Sequence, residues 1–298
     1  MGSSNIPSVL VTGASGHIGQ EVCRQLEASG HQVLPVDIAA EPHTIACDLT
    51  RQDQLSEVFR ERPISCVIHL AATLPTAFAA NPLAGADLNL TGSFQLLREA
   101  VAAGVKRFIF ASSISVYGLG RAGRVTEEDP AIPDEPYGGS KRCVELVAES
   151  LANTGAIEFV SLRVSRVIGA GIKKTSSSPW RSQIFDSSTQ VKTITLPFGP
   201  EASISLLHVE DAAQMFLKLM EAPSTEHRIY NTPAEICQIA GLKKLIEEAR
   251  GIPVELGPTG AHGGPVCEGR RFAQEFHFRL IGVRERISKL QRRASADQ

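Results

Sequence analysis

The chain contains no apolar run approaching the roughly 20 residues needed to span a bilayer, so no membrane partner is expected. Its first residues, Met1 to Ser8, carry neither a basic segment nor an apolar one, and no signal peptide is expected there. An excess of charge of one sign is also missing. Thirty Lys and Arg against 32 Asp and Glu leave a formal net charge of −2, which does not favour nucleic acid or another polyanion over a small ligand. Six cysteines (Cys23, Cys47, Cys66, Cys143, Cys237, Cys267) are scattered without CxxC spacing. That argues against a disulfide framework or a zinc site and for reduced thiols in the cytoplasm. No other metal is expected, and there are no internal repeats.

What remains is an ordinary globular composition, 43% hydrophobic and 21% charged over 298 residues, enough for one large or two modest domains. The first half alternates short β-branched runs with helical patterns. Ser8–Thr12, Gln32–Asp37, Ser65–Leu70, Phe108–Ser112 and Phe159–Val164 read as strands buried on both faces. His17–Ser29, Arg51–Glu61, Leu83–Ala103 and Gly138–Asn153 carry helical spacing. Such alternation predicts an α/β fold, a doubly wound parallel sheet of Rossmann type with right-handed crossovers. The pattern loosens after about Gly169. Residues 1–168, with later returns near 191–231, are expected to form the dinucleotide-binding domain, and 169–298 mainly a smaller substrate-binding lobe interleaved with it. Lys173–Pro179 reads as a basic, Ser-rich loop in which Lys173 and Lys174 read as a solvated pair, with steering of an anion as the alternative. Ala294–Gln298 reads as a frayed tail.

Val9–Gly19, VLVTGASGHIG, runs a buried strand into a turn bearing Gly13, Gly16 and Gly19, with a helix immediately after. The first glycine permits the tight turn, the second lets backbone approach a pyrophosphate, and the third lets helix pack on strand. The anion then lies at the helix end where N–H groups are unpaired. Asp37 closes the second strand about 20 residues further on, where a carboxylate accepts from the adenosine ribose hydroxyls and repels a 2′-phosphate. No arginine follows it, which favours NAD over NADP; the alternative is a solvated strand-end Asp. Asp48, in ACDLT, suits a place beside the adenine and equally the start of the following helix.

Tyr137-Gly-Gly-Ser-Lys141 opens a helix whose inward face is expected to carry Val144, Val147 and Leu151. Four residues apart, Tyr137 and Lys141 project from one face. A neighbouring ammonium is expected to lower the phenol pKa from its usual value near 10 and to bond the nicotinamide ribose. Phe108–Gly118, FIFASSISVYG, places hydroxyls at a strand's C-terminal end, where ligands bind in open α/β sheets. Ser113 is the candidate to bind the reacting oxygen, while Ser112 and Ser115 are expected to satisfy local backbone groups. His69 and His208 read as core or backbone-bonded histidines, and His17 as an exposed packing residue. Gly257–Gly264 lacks the Lys-Ser/Thr of a phosphate loop and reads as a plain loop.

On TGASGHIG (12–19), Asp37, CDL (47–49), HLAA (69–72), Asn89-Leu-Thr-Gly92, SSISVYG (112–118), YGGSK (137–141), the strand around Arg163 and HVED (208–211), the chain resembles the extended short-chain dehydrogenase/reductases of the NAD-dependent sugar epimerase/dehydratase family. The resemblance spans roughly residues 8–235. It implies that Gly13, Gly16, His17, Ile18 and Gly19 surround the pyrophosphate, Asp37 the ribose, and Asp48 and Leu49 the adenine. Leu70, Ala71, Ala72 and Ser112 would line the cofactor. Asn89 would hold the active-site helix and a water on the same side. Ser113, Tyr137 and Lys141 would form the catalytic triad, with Thr73, Ser113, Tyr137 and Arg166 toward substrate. It also implies a homodimer paired through the helices at Leu83–Ala103 and Gly138–Asn153.

Departures from the family narrow the chemistry. Ser113-Ile114-Ser115 stands where sugar 4,6-dehydratases carry Thr-Asp-Glu, so no group is placed to expel water. Arg166 replaces the asparagine of nucleotide-sugar enzymes, and Ile204 lies near where their diphosphate-gripping arginine would fall. Arg166 then reads either as a clamp on a carboxylate or phosphate or as one half of an ion pair. The sequence points to an NAD-dependent enzyme moving hydride to or from a secondary alcohol or ketone of a sugar-type substrate. A sugar or sugar-acid dehydrogenase is favoured; a nucleotide-sugar 4-epimerase or a non-catalytic NAD-binding regulator are the other readings.

Overall fold

The computed structural model describes residues 7–39, 41–171, 178–186 and 190–296. Seven parallel strands form the central sheet: β1 (Ser8–Thr12), β2 (Val33–Asp37), β3 (Ile45–Ala46), β4 (Ile64–His69), β5 (Arg107–Ser113), β6 (Glu158–Val164) and β7 (Ile229–Asn231). Their spatial order is β3-β2-β1-β4-β5-β6-β7. The order reverses between β1 and β4, and the crevice above the strand ends there is the natural ligand site of an open α/β sheet.

Strand periodicity sorts the core into two layers. Val9, Val11, Ile68, Ile109 and Leu162 face the helices His17–Ala28 and Val209–Glu221. Leu10, Val36, Val67, Phe108 and Phe110 face Gln52–Glu61, Ser93–Ala102 and Pro136–Asn153. Because both faces are covered, the strands are apolar throughout rather than alternating. A separate apolar cluster around Trp180, Phe198, Leu206 and Ile246 fills the C-terminal part, beneath small two- and three-stranded sheets. Of residues 191–231, the helix Val209–Glu221 and β7 join the central layers, whereas Ile194–Leu196 and Ser203–His208 belong to the small sheets.

Three local expectations change. The segment expected as one helix over Leu83–Ala103 is a short helix, Pro82–Ala86, then a π-helical turn, Asp87–Gly92, then the helix Ser93–Ala102. Val147 is 44% exposed and faces away from the core, whereas Val144 is buried; the inward stripe of that helix runs through Val144, Ala148 and Ala152 instead. The last helix runs to Ala296, so helix replaces the frayed tail expected from Ala294 as far as that residue. Lys173 and Lys174 lie outside the described residues.

Candidate active site

The glycine turn joins β1 to the helix His17–Ala28. Gly13 sits at φ +70°, and a Cβ there would fall 2.7 Å from the Ala71 backbone nitrogen. The turn can therefore nest against the end of β4 only as glycine. At Gly19 a Cβ would reach 2.0 Å from the Gly13 carbonyl oxygen, so the helix packs on the turn without a side chain. Gly16 is the N-cap and contributes no side-chain acceptor; a Cβ on it would approach only the Gly13 oxygen, at 3.0 Å. The helix end thus presents backbone N–H groups toward open space, a cradle suited to a diphosphate. His17 and Ile18, its first residues, are half-buried. His17 is less exposed than expected: Nε2 is buried without a partner, a Cβ on Gly169 would lie 3.3 Å from it, and burial lowers the ring's pKa.

Asp37 ends β2 beside this turn. Its Oδ2 accepts from Ser15 N at 3.0 Å and its Oδ1 from Ala39 N at 3.3 Å, which aims the carboxylate without exhausting its acceptor sites. Asp48 Oδ1 accepts from Thr50 N (2.9 Å) and Thr50 Oγ1 (2.8 Å), so this residue shapes the turn before the next helix, and Leu49 is buried in the core. Leu70 N donates to Thr12 O at 3.2 Å, and Ala71 N lies 3.4 Å from Thr12 Oγ1. That pins residues 70–72 against the end of β1.

Asn89, in the π-helical turn, receives Thr73 N on Oδ1 (2.8 Å) and donates from Nδ2 to Thr73 O (3.1 Å) and Ser140 Oγ (3.3 Å). A single buried amide therefore joins the strand-end loop to the tyrosine helix. Behind it runs a side-chain series: Thr12 Oγ1 to His69 Nδ1 (2.7 Å), His69 Nε2 to Ser93 Oγ (2.9 Å), Ser93 Oγ to Asn89 O (2.7 Å). Full burial, then the Lys141 charge, push His69 down to about 3, so the ring is neutral. The core placement of His69 was expected; its bonding to side chains was not.

The tyrosine helix Pro136–Asn153 begins with proline at its first position and is capped by Glu135, whose carboxylate accepts from Tyr137 N (2.8 Å) and Gly138 N (2.5 Å). At Gly138 a Cβ would fall 2.4 Å from Ser115 O. The second residue of the YGGSK segment must therefore be glycine for the helix to rest on the loop after β5. Ser113 ends β5, and its Oγ donates to Ser115 Oγ (3.1 Å) and accepts from Ser115 N (3.1 Å). The Ser113 side chain is also close enough to the Tyr137 phenol to lower its pKa. Lys141 Nζ donates to Ala111 O at 2.8 Å and sits 4.6 Å from the Phe110 ring centre and 5.7 Å from that of Tyr137. Ser113, Tyr137 and Lys141 thus converge, each nearly or fully buried.

The electrostatics correct one expectation. Burial raises the Tyr137 phenol to about 12, against the lowering bond from Ser113. Burial likewise brings Lys141 down to about 7, against the raising influence of Glu145. The ammonium expected to depress the tyrosine is itself weakened, because both groups sit in one desolvated corner. A second correction concerns Ser112. Its hydroxyl lies beside the Glu145 carboxylate without a well-formed hydrogen bond, so it faces an ion pair and not a backbone group. Ser115 bonds the Ser113 hydroxyl.

That ion pair was not anticipated. Glu145, one turn beyond Lys141, meets Arg163 on β6 through Nε (2.9 Å) and Nη2 (2.8 Å), both groups fully buried. Arg163 Nη1 donates to Tyr117 Oη (2.8 Å), which donates to Asn231 Oδ1 (2.9 Å). Arg166 differs: it starts the strand Arg166–Ile168 of a small sheet, and its Nη1 is buried without a partner. Ile204 and Ser205 are fully buried, with Ser205 bonded to the Cys267 backbone. His208 Nδ1 accepts from Glu210 N at 3.3 Å, the backbone-bonded role expected. Residues 257–264 form a loop after Val254–Leu256. Outside this site, Glu226, His227 and Glu275 have ligating atoms within 4.8 Å of one another, but Glu275 is already bonded to Tyr230 Oη and Glu226 N.

Fold and site together define a dinucleotide-binding enzyme of the extended short-chain dehydrogenase/reductase type, with the glycine cradle and Asp37 fitting NAD as cofactor. The NAD dependent epimerase/dehydratase family model matches residues 9–232, and the chain belongs to that family. It is similar to the UDP-glucose 4-epimerase of Streptococcus mutans serotype c, 34% identical over 175 residues, covering 55% of this chain and 53% of that one. It is likewise similar to the UDP-glucose 4-epimerase of Lactobacillus helveticus, 32% identical over 172 residues (54% and 52%). The chain thus matches about half the length of these curated relatives. Among solved structures it superposes on MoeE5 in complex with UDP-glucose and NAD (TM-score 0.81, 25% identity, 97% and 99% coverage). The L-threonine 3-dehydrogenase of Trypanosoma brucei (TM-score 0.85, 20% identity, 98% of both chains) shares the fold.

Proposed function

We propose that the chain catalyses NAD-dependent hydride transfer at a secondary alcohol or ketone carbon of a sugar-type small molecule, with a sugar or sugar-acid dehydrogenase as the favoured outcome. The observation carrying this reading is the convergence of the buried Ser113, Tyr137 and Lys141, with Lys141 Nζ held on Ala111 O and 5.7 Å from the Tyr137 ring centre. When bound, NAD accepts the hydride or returns it. Ser113 donates a hydrogen bond to the reacting oxygen, a fixed donor aimed where charge develops. In reduction the Tyr137 phenol gives its proton to the reacting oxygen; in oxidation Oη first gives up that proton to solvent and, as phenolate, takes the substrate hydroxyl proton. Lys141, anchored on Ala111 O, would bond the nicotinamide ribose and carries a proton that is in play near neutrality. Gly13, Gly16, His17, Ile18 and Gly19 hold the pyrophosphate, Asp37 the ribose, and Asp48 and Leu49 the adenine. Leu70, Ala71, Ala72 and Asn89 border the nicotinamide half, and Thr73 and Arg166 the substrate. In this reading residues 1–168, with later returns, carry the cofactor, and 169–298 mainly the substrate.

The epimerase outcome uses the same machinery and is favoured by the curated relatives. Absorbance of reduced cofactor over a panel of sugars and sugar acids separates the two: net accumulation indicates a dehydrogenase, altered product without accumulation an epimerase. Tyr137→Phe is expected to lower turnover about 10²–10⁴-fold; full activity in that variant overturns the mechanism. We also propose a homodimer. Leu83, Leu146 and Val147 are exposed apolar residues on the helices that would pair, and a monomer by light scattering sinks this. The free thiols of all six cysteines support a cytoplasmic setting.

A further inference from the structure

Two half-buried arginines, Arg166 and Arg181, lack the partners that desolvated cations require. Arg166 begins the strand Arg166–Ile168, and Arg181 lies in the short helix Trp180–Gln183, whose carbonyl at Arg181 accepts from Gly169 N at 3.1 Å. The Arg166 guanidinium packs over Phe198 (5.5 Å to the ring centre) and that of Arg181 over Trp180 (5.8 Å). These two rings touch edge to face, with centres 5.9 Å apart, so one aromatic pair backs both cations. Arg166 Nη1 and Arg181 Nε are buried N–H groups with no acceptor. Among the described residues no carboxylate forms an ion pair with either, whereas Arg163, three positions before Arg166, has Glu145 in bidentate contact. Burial and then the Arg181 charge bring Arg166 down to about 10. Arg181, lowered by burial, is within electrostatic reach of Tyr137.

A buried guanidinium without an anion is unfavourable unless a ligand supplies one, and its fork matches a planar oxyanion. We propose that Arg166 and Arg181 together hold a carboxylate of the substrate, so that the alcohol reacting at Tyr137 belongs to a hydroxy acid. This rests on the hydride-transfer reading above and names its substrate class. Both cations stand on one aromatic pair whose ring centres are 5.9 Å apart, which suits one small planar anion; titration with UDP-glucose separates this from a diphosphate. On the paired strand Ser203–His208, Ile204 and Ser205 are fully buried and neither offers a cation.

The test titrates the full chain, preloaded with NAD, with D-glucuronate, D-galacturonate, D-gluconate, D-glucose and UDP-glucose by calorimetry, and follows reduced cofactor in parallel. At least one of the acids is expected to bind and D-glucose not to. Arg166→Met and Arg181→Met are each expected to weaken acid binding at least 30-fold while leaving NAD affinity unchanged, with Arg166→Lys recovering only part of it. Removing an unpaired buried cation is also expected to raise the Tm of Arg166→Met without ligand, which shows that the variant folds. The proposal is overturned if no acid binds, if D-glucose binds as well as the acids, or if the variants bind acid normally. It is equally overturned if UDP-glucose alone binds and loses affinity in the variants, which assigns the pair to a diphosphate. An acid that binds through both arginines but is never oxidised leaves the anion site standing and removes the hydride reading; oxidation of neutral sugars alone does the reverse.

Discussion

Replacing Glu145 with glutamine tests whether the buried Arg163–Glu145 pair aligns the helix bearing Tyr137 and Lys141. The carboxylate is fully buried, takes two short bonds from Arg163 and is close to Ser161 Oγ (3.1 Å). Glutamine keeps the shape but removes the charge and turns an NH₂ toward a guanidinium that has only donors. Breaking a buried pair from one side costs about 3–5 kcal/mol, because the remaining charge is uncompensated. Against a typical domain stability of about 5–15 kcal/mol, that is a large fraction. Urea unfolding of the variant should show a lower midpoint with an unchanged slope, and Glu145→Met with Arg163→Met should recover most of the loss. Since Glu145 lies one turn after Lys141, the single variant should also raise KM for NAD. The hydrogen bonds and charge of Arg163 hold Glu145 below the usual carboxylate range despite burial. Its contribution is therefore complete above the unfolded value near 4.5 and is lost as pH falls through the lower native value. The glutamine variant should lack that part of the acid limb. A stability loss under about 1 kcal/mol, or an unchanged acid limb, would refute the reasoning.

Other expectations follow from the same geometry. Gly13→Ala forces a side chain into left-handed backbone 2.7 Å from Ala71 N; NAD affinity by fluorescence titration should fall at least tenfold, and an unchanged value would count against the cradle. Asp37→Ala should narrow the preference for NAD over NADP, read as the ratio of kcat/KM values, because the carboxylate that repels a 2′-phosphate is gone. Lys141, lowered to about 7 from 10.5, is disfavoured in its charged form by the fold. That penalty is complete below pH 7 and relieved as pH rises toward the unfolded value. Lys141→Met should then raise the Tm of the cofactor-free protein more at pH 6 than at pH 9, and equal shifts would contradict the burial argument.

Much of the central sheet could be read from sequence because burial on both faces leaves a strong local signal. β1, β4, β5 and β6 are near-continuous apolar runs, and each observed boundary falls within a residue of the expected one. The glycine turn and the Tyr137–Lys141 spacing are equally local. What was hidden depends on partners distant in the chain. Arg163 and Glu145 are 18 residues apart, and nothing in either neighbourhood shows that they meet. The π-helical turn at Asp87–Gly92 shares its apolar spacing with an α-helix, so periodicity could not separate them. Arg181 lies in a four-residue helix, too short for any period, within a lobe whose strands are mostly three or four residues long.

The series from Thr12 through His69 and Ser93 to Asn89 has a consequence for how the enzyme would respond to its surroundings. It connects the strand leading into the glycine turn to the helix bearing the phenol, and its one ionisable member stays neutral down to about pH 3. This link therefore keeps its charge state above about pH 3, while the proton on Lys141 changes near neutrality. Near neutrality, activity should respond to pH as a change in the chemistry of one corner, with this link registered as before.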